Sequence, residues 1–470
     1  QEDLKLIRNL FNRFKHNIHV DYKDIAKMFI KNKKIFKENS HLKLNEGSVL
    51  DKSQKIWRRA NAIILGGNSL LSKNPNMFLP NKWPTYFSKA KGCKIWDLNK
   101  KKYYDMSLMG VGTNILGYCN VGVDNAVKKV INNSVVSSLN GVEEVFLAER
   151  LIAMHDWADK VKFARTGGEA NALAIRIARA ASGKEKVAFC GYHGWHDWYL
   201  AANLKSKNSL DEHLIKGLNP LGVPKSLLKS SFGFPYGNFN KFKKLIDKEN
   251  IGVIKMEVCR NTQPNIKFLK QVRNLATKKN IILIFDECTT GFRQDFGGIH
   301  KSIGVKPDMA IFGKALGNGY PITAVLGKEE VMDAAKNSFM SSTFWSERIG
   351  PTAALETLNI MEKNKTWATI TRLGNNLISI WKKLAARHKL KISITGIPSL
   401  AKFSIKSKNS QAYKTYITQQ MLEKGFLASN GVYLSISHDN NIFKKYESIL
   451  DKIFYNIALC ERGLSSIDEI

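Results

Sequence analysis

From about residue 111 to 340, short apolar runs alternate with amphipathic stretches of helical spacing. The runs "KVAFC" (186–190), "GVIKMEV" (252–258), "IILIFDE" (281–287), "MAIFG" (309–313) and "ITAVLG" (322–327) read as strands. Between them, "NKFKKLIDKEN" (240–250) and "IKFLKQVRNLATKKN" (266–280) read as helices. Parallel strands need helical crossovers, so the alternation predicts an α/β fold with a mostly parallel, buried sheet. Ligands gather at the carboxyl ends of such strands, and Asp286, Glu287 and Lys314 fall there.

The flanks differ. "KSQKIWRRANAIILGG" (52–67) is a helix closed by a glycine pair, and "GCKIWDLNKKKYYDM" (92–106) alternates as a hairpin does. After 341 the pattern gives helices at 353–364 and 370–389, strands at 391–395 and 401–406, and a helix at 411–425. A strand "VYLSIS" (432–437) and a long helix through 440–461 follow. Four parts are expected: a lysine-rich helical extension (1–50), a segment joining the small domain (51–110), a large α/β domain (111–340) and a small α+β domain (341–470).

Composition narrows the function classes. A hydrophobic content of 44% excludes a disordered chain, and 470 residues allow more than one domain. The net charge of +33 invites a nucleic-acid reading, but lysine is spread along the chain, in short clusters such as "KNKKIFK" (31–37) and "KKLIDK" (243–248) on solvated helix faces. No aromatic–basic platform accompanies it, so nucleic acid is not an expected partner. The six cysteines form no CxxC pair, which argues against zinc and a disulfide scaffold, and no metal is expected. Apolar runs are too short to span a bilayer, the start has no signal-peptide make-up, and a cytoplasmic protein is expected.

Four motifs carry candidate chemistry. "ARTGGEANALAIRIARAASG" (164–183) is a glycine turn entering a helix, where free N–H groups at Thr166, Gly167 and Gly168 suit a phosphate. "CGYHGWHDWYL" (190–200) offers an aromatic, Tyr192, at a strand end, suited either to stacking on a flat ring or to core packing. "LIFDECTTGFR" (283–293) ends an apolar strand in two carboxylates, suited to a cap, a salt bridge or a counter-charge for a cationic ring nitrogen. "AIFGKALGNGYPI" (310–322) places Lys314 at the end of a buried strand, where an amine is costly unless used. Phosphate cradle, stacking aromatic, buried carboxylate and strand-end lysine are together the parts needed for pyridoxal phosphate.

In these motifs the chain resembles a class III aminotransferase of the type I pyridoxal-phosphate fold, and most the glutamate-1-semialdehyde 2,1-aminomutase group. "RTGGEANALAIRIAR" resembles the family's phosphate turn, "YHG" its cofactor-stacking segment, and "GGNSLLSKNP" (66–75) the aminomutase substrate loop. "IFDECTTGFR" with "KPDMAIFGKALGNGYPI" resembles its Asp and Lys pair, 28 residues apart. The resemblance implies Lys314 as the Schiff-base lysine, Asp286 as partner of the pyridine nitrogen, and Tyr192 with His193 at the ring. It implies Thr166, Gly167 and Gly168 at the phosphate, Glu257 at the substrate end, and Thr343 reaching the neighbouring subunit's phosphate in a homodimer with shared active sites. Substrates would be an amine donor and a carbonyl acceptor.

The departures concern the substrate. The phosphate-turn threonine of the family is Gly168, the loop arginine expected three residues after Ser69 is Ser72, and "MEVCRN" brings in Arg260. Removing one arginine and gaining another suggests an acidic substrate group held elsewhere. Similarity to class III members of surface-carbohydrate pathways suggests a keto-sugar as an alternative substrate. A basic nucleic-acid-binding protein on the same fold is the alternative from a different class.

Overall fold

The computed structural model describes residues 51–466 except 207, 214, 215, 260 and 261. The expected extension over 1–50 and Arg260 lie outside the described residues. The chain opens with the helix Lys52–Ile63 and a small sheet of β1 (Phe87–Lys91), β2 (Lys94–Asp97) and β3 (Lys102–Met106), all antiparallel. The 92–106 hairpin is therefore present.

The large sheet contains β4 (Lys160–Ala164), β5 (Lys186–Cys190), β6 (Ser231–Gly233), β7 (Ile251–Glu257), β8 (Ile282–Asp286), β9 (Met309–Phe312) and β10 (Thr323–Gly327). Their spatial order is β4-β10-β9-β8-β7-β5-β6. Six strands run in one direction, and β10 runs antiparallel to them between β9 and β4. All seven residues of β7 are buried, as a strand covered on both faces requires. One cover is the helix Gly167–Ser182, which buries Ala170, Leu173, Ala174, Ile177 and Ala178 as one stripe.

C-terminal to this, β11 (Ile392–Thr395) pairs with β12 (Lys402–Ile405), and β13 (Phe426–Ala428) runs parallel to β3. The helices Thr366–Arg387 and Asn440–Glu461 bury facing stripes, tied where Trp381 Nε1 donates to the Tyr446 hydroxyl at 3.1 Å. Gly374 permits a close crossing: a Cβ there would lie 2.1 Å from the Pro398 carbonyl oxygen.

One expected strand is corrected. "VYLSIS" (432–437) joins no sheet and closes in a turn at 436–437, its N–H groups going to opposite sides. Val432 and Leu434 donate to Ala401 and Ser399, while Tyr433 and Ile436 donate to Ser107 and Ile115. Alternation that reads as a strand is here a strap between two neighbours. The pairing role falls to β13.

Candidate active site

The register of the parallel strands brings the chemistry to one end. Glu257 closes β7 directly beside Asp286 closing β8, and Asp286 in turn lies beside Ile311 of β9, three residues before Lys314. Beyond the next strand, β5 ends at Cys190 and leads into Tyr192 and His193.

Asp286 is buried and multiply held. Its Oδ2 faces His193 Nδ1 at 2.8 Å, and its Oδ1 accepts from the Cys288 N–H at 3.1 Å. Lys255 Nζ lies 3.6 Å from the same Oδ2. Burial alone would raise this carboxyl, but the Lys255 charge and the His193 bond outweigh it and hold it well below the usual carboxylate range. His193 is wholly buried and pushed down to about 4, chiefly by burial, against the pull of Asp286. Its other nitrogen is 3.1 Å from the Cys190 carbonyl.

The adjacent carboxylate turns elsewhere. Glu287 Oε1 meets His300 Nδ1 at 2.9 Å, and His300 Nε2 accepts from Trp157 Nε1 at 3.0 Å. With the Thr290 hydroxyl 2.5 Å from its Oε2, Glu287 is consumed by packing, and of the two carboxylates only Asp286 faces His193 and Lys255.

Lys314 sits just past β9 with φ of +45°, a left-handed conformation rare outside glycine. Such strain persists where the surroundings over-determine it, commonly at functional sites. Its Nζ donates to the Thr289 hydroxyl at 2.7 Å. Burial lowers its pKa, with the nearby Arg293 adding to the effect against Cys288 and Glu257, so an uncharged, nucleophilic amine is within reach. Arg293, itself buried, donates to the Thr289 carbonyl at 2.7 Å and to the Gly112 carbonyl, fixing the turn that carries Thr289.

The phosphate-type turn lies alongside. Thr166 caps the Gly167–Ser182 helix, its hydroxyl exchanging bonds with Glu169, which leaves the backbone of Gly167 and Gly168 at the free helix end. Cys288 Sγ is 3.9 Å from where a Gly167 Cβ would stand and 3.4 Å from that of Gly313, so the turn and the lysine flank one cysteine. A Cβ on Gly168 would come within 2.9 Å of His196 Cε1. Its imidazole thus occupies the place a threonine would use.

The sequence pattern of the family described as "Aminotransferase class-III" matches residues 80–443. The chain belongs to this family. A 3-aminobutyryl-CoA aminotransferase of Cloacimonas acidaminovorans is 28% identical over 90% of this chain and 98% of its own length. A glutamate-1-semialdehyde 2,1-aminomutase of Sulfolobus acidocaldarius is 30% identical over 84% of this chain and 95% of its own. Among solved structures, the FumI protein of Sphingopyxis sp. MTA144, in a pyridoxal-phosphate form, superposes with a TM-score of 0.78 at 22% identity, covering 89% of this chain and 99% of that one. The chain is thus a pyridoxal-phosphate-dependent enzyme of the type I fold.

The residues of this class III aminotransferase fit that cofactor: a strained strand-end amine, a buried ionised carboxylate and a glycine helix start share one end of the sheet. Tyr192 is half-exposed there, and its N–H donates to Glu257 Oε2 at 3.0 Å. Glu257 itself is buried under Gly191, where a Cβ would be 2.4 Å from its Oε2. Ser69 and Thr343 are exposed and Ser72 is half-buried. Arg165 bonds the carbonyls of Trp345 and Glu347 at 2.8 and 2.9 Å, so the Thr343 segment is docked beside the phosphate-type turn. Lys255, Thr289 and Arg293 were not read from the sequence. Lys255 had a signal, a lone lysine inside the apolar run of β7.

Proposed function

We propose that this enzyme transfers amino groups with Lys314 as the residue that holds the cofactor's aldehyde carbon, in the manner of the glutamate-1-semialdehyde aminomutases. The observation that carries this is the Lys314 amine: left-handed backbone, lowered proton affinity, and a strand-end place next to Asp286. When bound, the cofactor supplies an electron sink that makes a carbon–hydrogen bond beside the amine acidic. Lys314, once displaced by an incoming amine, is placed to take that proton and return it. Asp286 supplies the negative charge for the ring nitrogen, held in place by His193 and the Cys288 N–H. Gly167 and Gly168 offer backbone N–H groups to the phosphate, with Thr166 shaping the turn, and Tyr192 covers the ring.

The substrates are an amine donor and a carbonyl acceptor, with Glu257 and Arg260 at the substrate end and Ser69 and Ser72 in the covering loop. A homodimer would let Thr343 reach the partner's phosphate. Exposed Leu139, Phe339 and Phe344 (82%, 85% and 67%) support a covered face, since large apolar side chains in water mark interaction surfaces. A second reading, transfer to a keto-sugar, is favoured by Ser72, which leaves the loop position without a cation for a substrate carboxylate.

Single-turnover assays separate these. An aminomutase converts glutamate 1-semialdehyde without any second acceptor, whereas a keto-sugar transaminase consumes an amino donor in stoichiometric amount. Carbon–hydrogen exchange or carbon dioxide release with no net movement of the amine, on every substrate tried, would overturn both.

A further inference from the structure

Lys255 is the most deeply buried cation near the site, with no solvent exposure and no hydrogen-bond partner for its Nζ among the described residues. Burying an ammonium in the middle of a central strand is costly, and an apolar residue would be the ordinary choice. It stands two residues before Glu257, so both side chains leave β7 on the face that also carries Asp286. Its nearest carboxylate oxygen is Asp286 Oδ2 at 3.6 Å, the same oxygen that His193 meets at 2.8 Å.

We infer that Lys255 is a charge-tuning, positioning residue: its ammonium shares the Asp286 carboxylate with the cofactor's ring nitrogen and so weakens that carboxylate's hold on the ring proton. The inference rests on the reading of Asp286 proposed above. A carboxylate facing one cation in a low-dielectric site holds it strongly, and a second cation beside the same oxygen lowers the potential felt by the first. The groups around Lys255 are Asp286 and Cys288 of β8 and its following turn, Glu257 of its own strand, and His193 after β5. Burial lowers the lysine's proton affinity and Asp286 raises it most strongly in return. The Asp286 oxygen 3.6 Å away, which His193 also meets at 2.8 Å, is the counter-charge that favours the charged form of Lys255.

The test reads the ring nitrogen itself. Holoenzyme is prepared with pyridoxal phosphate carrying nitrogen-15 in the ring, and its chemical shift is followed against pH for wild type, Lys255→Met and Asp286→Asn. Removing the lysine's charge should raise the pH at which the ring nitrogen loses its proton by about one unit or more, a tenfold change in proton affinity. Lys255→Gln carries the same expectation should the methionine variant fail to fold. Asp286→Asn should strip the ring proton across the range. If Asp286→Asn leaves the signal unchanged, the reading of Asp286 fails. If Asp286→Asn moves it and both Lys255 variants do not, even while losing stability, Lys255 is structural and the inference is overturned.

Discussion

Gly168→Thr introduces the threonine that the family resemblance implies for this turn, and with the turn in its proposed phosphate role the change should weaken cofactor binding. A Cβ at 168 meets His196 Cε1 at 2.9 Å, Nδ1 at 3.1 Å and Trp195 Nε1 at 3.3 Å. The first contact is closer than real Cβ atoms come, and threonine adds two further branches. The imidazole cannot swing away freely, because Trp195 stacks on it at 4.4 Å between ring centroids. Overpacking of this kind costs about 1–3 kcal/mol. Carried wholly by the bound turn, that is a roughly 5- to 150-fold loss of affinity. Threonine's better helix propensity returns only a few tenths, up to about 0.5 kcal/mol. Equilibrium titration of the apoenzyme with pyridoxal phosphate measures the loss, and His196→Ala in the same chain should recover most of it. Wild-type affinity in the single variant, or no recovery in the double variant, would refute the reasoning.

Two further outcomes follow from the same coordinates. Because Lys314 holds φ of +45°, apo Lys314→Gly should exceed apo Lys314→Ala in stability by about 1 kcal/mol in denaturant unfolding; equal stabilities would mean the backbone is unstrained. His155 and His193 are each pushed by burial from an ordinary 6.5 to about 4, so the unfolded chain takes up their protons first. Their stabilising contribution is complete above pH 6.5 and is lost as pH falls toward 4, on the order of 1–2 kcal/mol per histidine by pH 5. Apoenzyme stability that stays flat from pH 7 to 5 would contradict this.

The buried strands were legible because each is a short run of apolar side chains between turn residues. β7, β8, β9 and β10 fall within a residue or so of where hydrophobicity places them. The 432–437 segment was misread because alternation records which side chains are buried, not where the N–H groups go. At the site, the strand-end positions of Asp286 and Lys314 could be read from sequence, since charge at the end of an apolar run is conspicuous. The division of labour between Asp286 and Glu287 could not, because it depends on His300 and Trp157, distant in the chain and adjacent in space. Nor could the exchange of a threonine for Gly168 be explained before His196 was seen filling its place.

The central claim is that Lys314, among many lysines, carries the cofactor. Borohydride reduction of the holoenzyme, proteolysis and mass spectrometry of the peptides test it directly. The cofactor's mass should appear on the peptide containing Lys314 and vanish in Lys314→Ala. Label on the peptide of buried Lys255, or on any other lysine while Lys314 stays unmodified, would contradict it.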